Sequence, residues 1–158
     1  MRKRIVGPHH AQQGGQSDRG WLDLEQIATV EVTSEDPSFP IESAFGSDDG
    51  PGWRASQGGE QQIRIVFDQP VPVHRMKLRF DETGCERTQE FILRWSSETS
   101  GAATEIVRQQ WKFSPTGSTT EIEHFAVDLD AVSVLELAIR PDLHRSEVVA
   151  TLASWRLG

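Results

Sequence analysis

Arg75-Met76-Lys77-Leu78-Arg79-Phe80 alternates strictly between basic and apolar side chains. A period of two puts the apolar set on one face of an extended chain and the basic set on the other, the pattern of a half-buried β-strand. The same period extends outward in both directions. Upstream, Ile63, Ile65 and Phe67 alternate with Gln62, Arg64 and Val66; downstream, Phe91, Leu93 and Trp95 alternate with Ile92, Arg94 and Ser96. Val107, Trp111 and Phe113 share one phase, as do Phe125, Val127 and Leu129, and Leu135, Leu137 and Ile139. Ile122 falls out of phase with Phe125, so a bulge is expected near His124. Val149, Thr151, Ala153, Trp155 and Leu157 read as a closing strand.

Between these runs stand breakers: Asp68-Gln69-Pro70, Thr83-Gly84, Ser100-Gly101, Ser114-Pro115-Thr116-Gly117 and Pro141-Asp142. No helical periodicity runs longer than Trp21 to Ile27, and the crossover helices of a parallel α/β sheet are absent. Many short strands with frequent turns make the expected fold class all-β, an antiparallel β-sandwich of the jelly-roll kind.

The 158 residues suit one domain. Residues 1–20, with Gly7, Pro8, Gly14, Gly15 and Gly20 among polar neighbours, read as a flexible or peripherally packed lead-in, and 21–158 as the sandwich. A formal net charge of -8 argues against a nucleic-acid binder held by bulk positive charge. Cys85 is the sole cysteine, so no intrachain disulfide forms. Arg2-Lys3-Arg4 is followed by no apolar core of the kind a signal peptide inserts, and no window approaches the length of a membrane span. The cytoplasm is the default expectation.

One loop is more specific than any periodicity. Ser43-Ala44-Phe45-Gly46-Ser47-Asp48-Asp49-Gly50-Pro51-Gly52-Trp53-Arg54-Ala55 precedes the strand Gln61-Gln62-Ile63-Arg64-Ile65-Val66-Phe67-Asp68. With Phe91 to Glu98, Ala138-Ile139-Arg140-Pro141 and Ala153-Ser154-Trp155-Arg156-Leu157 in order behind it, the chain resembles the discoidin, or coagulation-factor type C (F5/8), family of galactose-binding-like jelly rolls. The likeness covers roughly residues 27 to 157. A more distant similarity, through Trp53-Arg54-Ala55 and Gly59-Glu60, is to the amino-terminal domain of the X-ray cross-complementing single-strand-break repair scaffold.

The resemblance implies a non-catalytic binding module with carbohydrate as its first ligand class and a site on loops at one end of the sandwich. The loops in question run from Asp48 to Arg54, from Thr83 to Arg87, and through His144-Arg145. Arg54 and Arg145 would donate to hydroxyls or an acidic group, Asp49 would accept, and Trp53, Arg87 and His144 complete the set; in the resembled family the tryptophan packs under its loop. Many carbohydrate-binding members hold calcium beside this loop. Here Asp48 or Asp49 could serve, but Pro51 stands where the family has Thr and Ala153-Ser154-Trp155 carries no carboxylate, so no cofactor is expected.

No Gly-x-Ser-x-Gly, His-Glu-x-x-His, phosphate loop or Cys-x-x-Cys is present, which argues against an enzyme. Adjacent His9-His10 read as part of the lead-in rather than as a metal pair, and Asp48-Asp49 as the start of a turn. Trp95, Trp111 and Trp155 are in phase with strand neighbours and read as core. The alternative function is an intracellular protein-interaction scaffold, nucleic-acid-associated like the repair domain, that uses the basic face of Arg75, Lys77 and Arg79 instead of loop tips. On that face Glu121 and Glu123 would be expected to neutralise the stripe across strands. The residues assign neither the sugar, the partner nor an oligomeric state.

Overall fold

A computed structural model describes residues 2–4, 20–46 and 50–158. Along the chain these form β1 (Arg2–Arg4), α1 (Leu24–Ile27), β2 (Ala28–Val32), α2 (Glu42–Phe45), β3 (Trp53–Gly58), β4 (Gln61–Asp81), β5 (Arg87–Ser96), β6 (Thr104–Phe113), β7 (Thr120–Arg140), β8 (Val149–Leu152) and β9 (Ser154–Leu157). The helices are single turns. Every strand pairing is antiparallel, with the order β1-β2-β4-β7-β5-β6 in one sheet, β9 joined to β4, and β3 joined to β8 in a separate ribbon.

Strands β4 and β7 run through both layers. Their first contact, Gln61 opposite Ile139 through Val66 opposite Val134, lies in one layer with β2 and β5; the second, Arg75 opposite Ala126 through Asp81 opposite Thr120, lies in the other with β9. Asp68-Gln69-Pro70 therefore bends a strand rather than ending one, since a proline cannot donate to the ladder. Register shifts fall between Val66 and Val71, Val71 and Val73, and Val73 and Arg75. They absorb the change of phase from Ile63, Ile65 and Phe67 to Met76, Leu78 and Phe80, all of which are buried.

The bulge expected near His124 is absent. Pairing runs without a shift from Arg75–Ala126 to Asp81–Thr120, and Ile122 is out of phase because it sits on the outer face, 49% exposed. The consequence is that Glu121 and Glu123 share the inward phase of Phe125. They lie opposite Phe80 and Leu78, not opposite the basic stripe, so the expected neutralisation of Arg75, Lys77 and Arg79 by these glutamates does not occur. Arg79 pairs instead with Asp81, and the Arg75 guanidinium stacks 3.9 Å from the centre of the Trp21 ring.

The core between the layers holds Ile65, Phe80, Phe91, Leu93, Leu135, Leu137 and Trp155, each fully buried. Trp155 confirms its core reading, whereas Trp111 and Trp95 are half-buried against the core edge. Of the lead-in expected over residues 1–20, only 2–4 and 20 are described; the 2–4 backbone pairs with β2 as an edge strand, and His9-His10 lie outside the described residues. No helix among the described residues is long and apolar enough to cross a membrane.

Candidate functional site

The bend in β4 and β7 returns both ends of each strand to the same end of the sandwich. Arg87, at the start of β5, marks the meeting point: its Nε donates to Glu82 just past β4, and its Nη1 to the carbonyl of Pro141 just past β7. Gln89 on the next inward position reaches Glu121 at the start of β7. The loops 82–86 and 141–148, together with the β3–β8 ribbon, are thereby gathered at this end.

Arg54 is the second residue of β3. Its backbone is held from both sides, its N–H donating to the Phe39 carbonyl and its own carbonyl accepting from Asp36 N–H. The Asp36 carboxylate accepts from Ser38 N–H and Glu35 from Ile41 N–H, which closes the segment 35–41 into a turn against β3. Phe39 is thus brought beside Arg54, whose guanidinium carbon lies 6.0 Å from the ring centre. The Arg54 side chain is exposed and forms no ion pair among the described residues. A cleft of about 130 Å³ opens here, lined by Phe39, Arg54, Asp81 and Thr151 with Pro51 at its rim. Asp81 is oriented by Arg79 and by the Thr120 hydroxyl. The Thr151 hydroxyl is buried and without a hydrogen-bond partner.

Two glycines let the ribbon close this tightly. Gly52 has φ +77, and a Cβ there would lie 2.5 Å from the Leu152 carbonyl oxygen; at Gly58 it would lie 2.7 Å from the carbonyls of Ser146 and Glu147.

Trp53 lies beneath the cleft, 1% exposed, with its indole N–H donating to the Ser34 carbonyl. It supports the loop from below and is one of the residues lining the cleft, so it stays in the candidate set chiefly as the floor of the site. The inclusion of Arg87 among contact residues is corrected. Its side chain is fully buried, bonded to Glu82, Gln89 and Pro141, and stacked 4.7 Å from the Phe113 ring centre. Asp48 and Asp49 lie outside the described residues.

A second and larger cleft, about 380 Å³, is lined by Glu60, Arg140, Asp142, His144, Arg145 and Ser146 among others. The sequence pointed here through His144 and Arg145. Arg145 is locked in place, with Nε on Asp142 at 2.7 Å and Nη2 on the Glu86 carbonyl at 2.6 Å. Burial pushes the Asp142 carboxyl up, but Arg145 and the backbone N–H groups of His144 and Thr88 outweigh it and hold it below the ordinary carboxylate range. Arg140 and Glu60 are exposed and form no ion pair with each other or with any other described residue. They pass unnoticed in sequence because Arg140 ends a strand and Glu60 sits in a turn, as countless solvated residues do.

Between the clefts, burial and the Glu82 carboxylate push the Cys85 thiol up, the opposite of an activated nucleophile. No group of three or more His, Cys, Asp and Glu side chains among the described residues could hold a metal ion. Pro51 and Ala153-Ser154-Trp155, at the positions where the resembled family completes a calcium shell, carry no carboxylate.

No family model matches the chain, and no curated protein does. Solved structures do. A family 32 carbohydrate-binding module of NanJ from C. perfringens, solved in complex with galactose, matches with a TM-score of 0.63 at 12% identity over 87% of this chain and 96% of that one. Module CBM32-3 of a family 31 glycoside hydrolase from Clostridium perfringens gives 0.65 at 14% identity over 90% and 96%. The family 32 module of AlyQ, in complex with 4,5-unsaturated mannuronic acid, gives 0.61 at 17% identity over 87% and 97%. The chain thus has the galactose-binding-like jelly-roll sandwich of these modules along nearly its whole length.

Proposed function

We propose that this protein is a non-catalytic carbohydrate-binding module whose site is the cleft of Phe39, Arg54, Asp81 and Thr151. The observation that carries the reading is the chemistry of that cleft. A sugar ring presents an apolar patch of C–H groups and a rim of hydroxyls that donate and accept. Phe39 supplies an aromatic surface for the patch, Arg54 supplies donors and Asp81 supplies an acceptor. The fold supports the reading, because neighbours of this fold are solved with galactose and with an unsaturated uronic acid. Kinship with the discoidin type belongs to the same reading, supported by the loop from Ser43 to Ala55 and the order of β4, β5 and β7 behind it.

A broad glycan array, run with calcium and again with chelator, tests it. Binding to a defined glycan, lost in the Arg54→Ala variant, is the expected result. A blank array in both conditions overturns the reading, and loss on chelation alone would return calcium to Asp48 and Asp49.

A further inference from the structure

The two clefts lie at opposite ends of one ribbon. Arg54 pairs with Thr151 where β3 begins, and Gly58 pairs with Val149 where it ends, two residues before Glu60. From Thr151 back to Ser146, which lines the second cleft, is five residues, at most about 17 Å of extended chain at roughly 3.3 Å per residue. The outward surface between them is polar. Ser56, Gln57 and Gly58 are exposed. Both ends carry charged groups with no ion partner among the described residues: Arg54 at one, Glu60 and Arg140 at the other.

We infer that the β3–β8 ribbon is a glycan track, and that the ligand is a linear oligosaccharide of several rings rather than a single terminal sugar. The inference rests on the carbohydrate reading and gives it a ligand class. One ring sits over Phe39 and Arg54; the chain crosses Ser56; a further ring reaches Glu60 and Arg140. The opposite charges of that last pair suit a neutral polyol, whose hydroxyls donate to the carboxylate and accept from the guanidinium. Arg145, anchored by Asp142 and the Glu86 carbonyl through two of its five N–H groups, shapes the wall of the cleft and keeps donors on its exposed side for the same ring.

The test is an array presenting galactose, N-acetylgalactosamine and mannuronate each as one ring and as β-linked chains of two, three and four. For the recognised series, binding should rise about tenfold or more from one ring to three, an amount one added subsite readily supplies. Arg140→Ala should cut binding of the three-ring member about tenfold, and Ser56→Trp, a block in mid-track on an exposed position, should do the same while the melting temperature stays in place. Equal binding of one ring and four would overturn the track and leave the carbohydrate reading standing. So would three-ring binding indifferent to both substitutions. No binding to any member of any series would overturn both.

Discussion

Arg54 performs two tasks with different atoms. Its backbone N–H and carbonyl bind the 36–39 turn to β3, and its guanidinium projects into the cleft. Truncating it to alanine keeps the first and removes the second. Arg54→Ala should therefore fold with stability within about 0.5 kcal/mol of the parent, as exposed substitutions do, and bind glycan at least about tenfold more weakly, a loss matching a charge-assisted hydrogen bond. Equilibrium unfolding and calorimetric titration check the two halves separately. Gly52 behaves in the opposite way. Its positive φ and the closeness of the Leu152 carbonyl mean that Gly52→Ala should cost about 1–3 kcal/mol in denaturant unfolding without any side chain being lost; an unchanged midpoint would show that the ribbon is looser than described. At this scale the sequence is partly legible. Trp53 and Arg54 stand out in a loop of turn formers, but nothing local separates Arg54, which is exposed, from Arg87, which is buried. That difference is made by Glu82, Pro141 and Phe113, and only the folded chain brings them to Arg87.

At the scale of elements, alternation located the strands from β4 onward, because half-buried β-structure writes its period directly into the side chains, whereas β1, β2 and β3 went unread and β8 and β9 read as one run. The joins were harder to read. In β4 a proline-containing breaker marks the end of a strand and the bend of a strand with the same residues, and in β7 the two apolar runs Phe125–Leu129 and Leu135–Ile139 were read apart, so each read as two strands. The missed bend also hid the direction of Glu121. It is buried on the inward face of β7, bonded to Gln89, with its second carboxylate oxygen unpartnered. Burial, reinforced by Glu123, raises it from an ordinary 4.5 to about 7 against the opposing pull of Gln89 and Arg87. A folded-state value raised above the unfolded one means the native chain holds this proton more tightly. Stability should therefore fall as pH rises from about 4.5 to about 7, by something on the order of 3 kcal/mol at most, and level off above. Glu121→Gln should flatten that slope and make the variant the more stable protein at pH 8. Parallel curves for the two proteins would place the pH dependence elsewhere.

For the molecule as a whole, the net charge of -8 and the basic outer face of Arg75, Lys77 and Arg79 define the competing account, a surface that meets an acidic partner. Part of that face is already engaged, by Asp81 on Arg79 and by Trp21 against Arg75 and Arg156. The two accounts differ in their response to salt. Binding of a neutral glycan in a cleft should change by less than about twofold between roughly 50 and 500 mM salt, whereas binding through exposed charges weakens steeply over that range. The gathering of both clefts at one end was legible only as a family likeness, since it follows from the bend in two strands whose halves are read separately in sequence. The most direct test of the central claim is calorimetric titration of the best glycan from the array into the parent, Arg54→Ala and Arg75→Glu proteins. The expected result is full affinity in Arg75→Glu and at least about a tenfold loss in Arg54→Ala. Undiminished affinity in Arg54→Ala, with the loss falling on Arg75→Glu, would contradict the account and move the site from the cleft to the sheet face.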